Sequence, residues 1–162
     1  MSTHVFFNHM LHASGIDHIT LTVKDLKRSE PFYDTLMLHL GLKKEFSEYG
    51  FAGWTNKNFH FYISEAEAPY KNDAYSKYRA GLNHISFKSE SREDVDSLYE
   101  FLQKHEIKIV HAPKYLKQYG HGEYFVAMED PDGIKVEFGY WFNDTDKEVQ
   151  RPIVREYSSV LA

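Results

Sequence analysis

Gly81-Leu82-Asn83-His84-Ile85-Ser86-Phe87 lies over Gly15-Ile16-Asp17-His18-Ile19-Thr20-Leu21 position for position, at an offset of 66 and without a gap. Both segments alternate side chains in the manner of a strand with two unlike faces, and a helix signal follows each. Lys24-Asp25 opens the first helix. Pro31 falls early enough in it for the missing N–H to be harmless, Phe32, Leu36 and Leu40 form the apolar stripe, and Gly41 ends it. Ser91-Arg92-Glu93-Asp94 is a cap-like start for the second helix, whose stripe is Val95, Leu98 and Leu102. At the same offset Tyr33 and Leu36 fall on Tyr99 and Leu102. A repeat of about 65 residues, each copy holding a strand, a helix and further strands, is an internal duplication of a βαβββ unit.

The further strands of the first copy are expected around Phe46, Gly50–Trp54 and Phe59–Ile63, with the turn Thr55-Asn56-Lys57-Asn58 before the last. In the second copy Ile107–Val110 precedes a loop, His111–Gly122, and then a hairpin. Its strands are Tyr124–Met128 and Ile134–Phe138. Asp130-Pro131-Asp132-Gly133 supplies the turn, with one fixed φ and one residue free to take φ > 0. The predicted class is α+β: one domain over 15–140, with modules 15–63 and 81–140 joined by a polar linker, 64–80, that either stays irregular or forms a short lid helix. Residues 1–14 and 141–162 are N- and C-terminal arms, expected to pack on a second subunit in a homodimer.

Composition narrows the class. The 162 residues are 42% hydrophobic and 16% aromatic, ample for a core, and no run reaches the roughly 20 apolar residues of a membrane span. The N-terminus has no charged-then-apolar signal pattern, so a soluble cytoplasmic protein without membrane contact is expected. A net charge of −5 with no basic cluster argues against nucleic acid. Without cysteine, disulfides and thiolate chemistry are excluded, and any metal must be held by imidazole and carboxylate.

Among the ten histidines, His18 and His84 stand at the same place in the two copies. A lone strand histidine is more often a satisfied structural residue than a ligand, but a pseudo-twofold pairing of the copies turns both imidazoles into one cavity. Glu137, the single carboxylate of the strand Ile134–Phe138, supplies an oxygen donor. Two imidazoles and a carboxylate with open positions suit one divalent ion of Fe, Mn, Zn or Ni, and leave room for a small-molecule substrate. Aligning the turns Asn56-Lys57-Asn58 and Pro131-Asp132-Gly133 puts Tyr62 on Glu137 and His60 on Lys135. Tyr62 therefore occupies the fourth ligand position as a hydrogen-bond donor, with His60 as the other candidate for that position. Glu137 and Tyr62 are the candidate catalytic residues. His60, Trp54, Tyr119, His121 and Tyr124 are candidates for the substrate pocket, the last three either lining its mouth with Tyr115 or lying on the surface. His39 and His105 also match under the repeat, but near helix ends, where exposure is expected.

Gly15–Leu26, Phe32-Tyr33, Leu40-Gly41-Leu42, Gly81–Ile85, Glu129–Gly133 and Val136-Glu137-Phe138 together resemble the vicinal oxygen chelate superfamily, which includes glyoxalase I, extradiol dioxygenases and the fosfomycin and bleomycin resistance proteins. The resemblance spans about residues 15–140. It implies tandem βαβββ modules forming a cupped mixed β-sheet, helices packed outside, around a divalent metal whose shell is completed by substrate oxygens. His18, His84 and Glu137 match the ligand positions. Tyr62 departs from the glutamate of typical glyoxalase I. The implied function is a metal-dependent lyase, isomerase or dioxygenase acting on a small oxygen-chelating metabolite, and the alternative is a metal-free small-molecule-binding protein of the resistance type. Whether the modules pair within one chain or between chains is open.

Overall fold

The computed structural model describes residues 12–118 and 121–143. Two compact units divide the chain between Lys71 and Asn72. The first holds β1 (His18–Val23), α1 (Leu26–His39), β2 (Lys43–Glu48), β3 (Phe51–Thr55), β4 (His60–Glu65) and a 3-10 turn at Ala68–Tyr70. The second holds β5 (Ile85–Lys88), α2 (Arg92–Lys104), β6 (Ile109–Gln118), β7 (His121–Glu129) and β8 (Lys135–Asn143). Each unit is a four-stranded mixed sheet with one helix, in the orders β1-β4-β3-β2 and β5-β8-β7-β6. In both, the first strand pairs parallel with the last and the remaining pairs are antiparallel. The duplicated βαβββ pattern and the α+β class are thus present in the fold. No helix among the described residues is long and apolar enough to cross a membrane.

Helix α1 starts where Asp25 caps it, its Oδ1 accepting from the Lys27 amide at 2.9 Å. The buried stripe is Leu26, Ser29, Tyr33, Leu36 and Met37, which shares only Leu36 with the expected set. Leu40 is the C-cap residue and no longer on the helical face, and Phe32 is half-buried at its margin. Tyr33 packs against Phe61 and Trp54, with ring centroids 5.2 and 6.1 Å away. In α2 the Ser91 hydroxyl accepts from the Asp94 amide at 3.1 Å, and Val95, Leu98 and Leu102 are buried as the spacing requires.

Most of the segment expected to be the loop 111–122 is strand. β6 runs to Gln118, with register irregularities between Ile109 and His111 and between His111 and Lys114. Pro113 falls in the second of these, where the ladder needs no donor from it. The 64–80 segment contributes the end of β4 and the 3-10 turn, and β8 extends past 140 to Asn143.

The β7–β8 turn is held by a buried carboxylate. Asp130 Oδ1 accepts from the amides of Asp132 at 2.9 Å and Ile134 at 2.7 Å. Asp130→Ala leaves both donors without this acceptor and should cost about 2–3 kcal/mol, in the range of hydrogen bonds to charged groups. Urea unfolding checks this, and a loss below about 0.5 kcal/mol would show that water replaces the carboxylate there.

Candidate functional site

In the second unit Ile85 pairs with Val136 and Ser86 with Glu137, so His84 stands at the entrance to β5 on the face that Glu137 shares. His84 Nε2 lies 3.3 Å from Glu137 Oε2. Its other ring nitrogen, Nδ1, lies 2.7 Å from Asn83 Oδ1, a contact that fixes the ring and leaves Nε2 turned to the carboxylate. Asn83 is itself tethered. The Tyr75 hydroxyl donates to the carbonyls of Leu82 and Asn83 at 3.1 and 2.8 Å, and Asn83 Nδ2 donates to the Lys77 carbonyl at 3.1 Å. Burial, with Asp130 and Glu129 nearby, raises the Tyr75 pKa, so the phenol keeps the proton this tether needs.

Glu137 is 6% exposed, and a carboxylate so removed from water needs partners. Lys135, two residues earlier on the same face, brings its ammonium to 2.6 Å from Oε1. Oε1 is thus matched by a cation, while Oε2 faces His84. The two donors, imidazole nitrogen and carboxylate oxygen, fit a divalent ion of the Fe, Mn, Zn or Ni kind.

The first unit repeats this register. His18 pairs with His60 and Thr20 with Tyr62. Tyr62 therefore stands beside the residue two after His18, as Glu137 stands beside the residue two after His84. His18 Nδ1 lies 2.8 Å from Asp17 Oδ2, the same anchoring from the preceding residue that Asn83 gives His84. The bond from His18 and its charge hold the Asp17 carboxyl below its usual range, with His60 adding to the effect. His60 is engaged likewise, Nδ1 to Glu45 Oε2 at 2.9 Å. The Tyr62 ring lies 5.8 Å from the rings of both His18 and His60, and 5.7 Å from Phe46. Gly53, cross-strand from both Phe46 and Tyr62, makes this seat possible, because a Cβ there would come within 2.7 Å of each ring. Burial raises the Tyr62 pKa, and the charges of Glu45 and Asp17 push the same way, so the hydroxyl remains a donor. Among the described residues no three His, Asp or Glu side chains are gathered into a group that could hold a metal.

The remaining candidates separate by sheet face. Trp54 is fully buried on the α1 side, with Nε1 donating to Asp34 at 2.9 Å, so it belongs to the core and not to the face of Tyr62. Tyr124 likewise faces α2, its hydroxyl donating to Asp96 at 2.7 Å and its ring covered by the Arg92 guanidinium at 4.9 Å. Tyr119 and the side chain of His121 lie outside the described residues. His39 and His105 are exposed at their helix ends. The repeat singles out the histidines but not Asp17 and Asn83, which orient them, Tyr75, which tethers Asn83, or Lys135, which pairs with Glu137. The position just before each histidine, and the one two before Glu137, is the signal the sequence offers for three of the four.

The match to known proteins is of one kind. Residues 15–138 match the Glyoxalase/Bleomycin resistance protein/Dioxygenase superfamily. The chain belongs to this superfamily. It is 34% identical over 120 residues to the Bacillus subtilis (strain 168) protein YqjT, an overlap of 74% of this chain and 94% of that one. A glyoxylase/bleomycin resistance protein/dioxygenase domain from Frankia sp. EAN1pec superposes with a TM-score of 0.66 at 28% identity, covering 80% of this chain and 98% of that domain. The lactoylglutathione lyase of Agrobacterium tumefaciens, at 22% identity, shares the fold with a TM-score of 0.58 over 79% of this chain and 94% of its own. Superfamily membership bears out the resemblance read from the motifs and leaves the individual member open.

Proposed function

We propose that this superfamily member is a divalent-metal-dependent enzyme acting on a small metabolite that presents chelating oxygens, by lyase, isomerase or dioxygenase chemistry. The observation that carries the reading is the convergence of His84 Nε2 and Glu137 Oε2 at 3.3 Å, with each group's remaining atom held by a neighbour. His84, Glu137 and His18 would hold the ion, which when bound supplies a Lewis acid for negative charge on substrate oxygen. Tyr62 donates a hydrogen bond to a substrate oxygen as that charge grows. Asn83 and Asp17 keep the two imidazole rings turned, and Lys135 holds the Glu137 carboxyl in place through its Oε1.

One observation favours a second reading. Lys135 already provides Glu137 with a cation at 2.6 Å, an arrangement that also suits a metal-free small-molecule-binding protein. Elemental analysis of protein purified without chelators separates the two. About one divalent ion per chain supports the enzyme, and none after loading with Zn, Mn, Ni or Fe(II) supports the binding protein.

Dimerisation and a cytoplasmic location complete the proposal. The arms 1–14 and 141–162 carry Val5, Phe6, Phe7, Val154 and Val160 outside the repeat, an apolar content that calls for cover. Light scattering at micromolar concentration should give twice the chain mass of 19.1 kDa, and a monomeric mass would contradict the proposal.

A further inference from the structure

Glu123 lies on β7 beside Tyr124, whose hydroxyl is bound to α2, so Glu123 occupies the opposite face together with Phe125, Ala127 and Glu137. It is 8% exposed, and among the described residues no hydrogen bond or ion pair holds its carboxyl. The space it uses comes from Gly139. A Cβ on that residue would stand 2.5 Å from Glu123 Oε1 and 3.1 Å from Phe125 Cβ. Gly139 is two residues beyond Glu137 on the same face of β8, so the carboxyl lies along the strand that carries Glu137. A residue needed only for packing here would be apolar, as Phe125 and Ala127 are. A buried carboxyl without a partner costs free energy until a proton or a ligand reaches it.

We propose that Glu123 is an acid–base residue of this face, reaching over Gly139 beside Glu137 to exchange a proton with an O–H, or with a C–H next to a carbonyl, of the bound small molecule. As a base its carboxylate takes the proton and the bonding pair stays on the substrate as an alkoxide or enolate. As an acid it returns that proton to oxygen or carbon. Burial and the Glu137 charge raise its pKa and Lys135 opposes them, which places the exchange closer to neutral pH than for an ordinary glutamate. The other charged or titratable groups on this face, among the described residues, are His84 and Lys88 at β5, His111 and Lys114 on β6, and Glu129 on β7. Burial, Lys114 and Lys135 lower the His111 pKa. The inference rests on this face being the substrate site and does not require the metal.

Diazoacetamide tests it directly. This small neutral carbonyl compound esterifies a protonated carboxyl: the carboxylic acid protonates the carbon next to the carbonyl, dinitrogen leaves, and the carboxylate oxygen bonds to that carbon. Peptide mapping of the full chain at pH 7 should show Glu123 modified faster than the exposed Glu90 and Glu93, because a raised pKa leaves a larger fraction of its carboxyl protonated. Glu137→Gln should slow that labelling by removing the neighbouring anion. Gly139→Ala should also slow it by filling the carboxyl's space, with circular dichroism confirming that each variant is folded. Labelling of Glu123 no faster than that of Glu90 and Glu93, or labelling indifferent to both substitutions, would overturn the proposal. Metal content of the same samples is scored separately. A metal-free protein with Glu123 labelled discards the metal and keeps this residue, and a metal-bearing protein with Glu123 inert does the reverse.

Discussion

Tyr62→Phe should keep the metal and lose about 10- to 1,000-fold in turnover of the substrate, the range expected when one donor to a developing oxyanion is removed. The phenol stands at the first unit's counterpart of Glu137, as the matching β1–β4 and β5–β8 registers show. A phenol whose pKa is raised by burial and by Glu45 and Asp17 holds its proton at neutral pH, and a protonated phenol is a weak metal ligand but a good hydrogen-bond donor. Its ring is fixed by Phe46 and by the Gly53 gap, so the hydroxyl can be deleted without moving the ring. The effect therefore belongs in kcat and not in metal stoichiometry. Unchanged turnover would take Tyr62 out of the mechanism, and lost metal would make it a ligand.

The duplication was legible because a 66-residue offset preserves strand alternation, and alternation is what a sheet with two unlike faces imposes on a chain. The turn alignment places Tyr62 on Glu137, and the strand registers agree. What the duplication cannot reveal is which face of a strand meets the helix when both faces carry large residues. Trp54 and Tyr124 read as pocket aromatics for that reason, and a single bond each, to Asp34 and Asp96, assigns them to the helix side. Glu123 is inconspicuous in the sequence for the converse reason. A glutamate beside Tyr124 reads as a solvated strand position, and its burial depends on Gly139, sixteen residues later on the next strand. The extension of β6 through Pro113 was hidden by a proline and a histidine that look like loop residues until the bulges are seen.

His84→Ala should abolish stoichiometric metal binding, the largest effect expected of any single change in the second unit. The variant removes the nitrogen that faces Glu137 Oε2 at 3.3 Å and leaves that carboxylate paired with the Lys135 ammonium. Loss of a direct donor should exceed the 10- to 100-fold in affinity that an orienting partner is worth, so calorimetric titration with Zn(II) should show a drop of more than about 100-fold. Asn83→Ala tests the same geometry more gently. It frees His84 Nδ1 without removing a ligand, and a loss of about 10- to 100-fold is expected. His105→Ala, at the exposed end of α2, is the control and should leave the titration unchanged. If His84→Ala binds metal as the parent does, the His84–Glu137 pair is structural, and the Lys135–Glu137 ion pair becomes the reason that a buried carboxylate persists in β8.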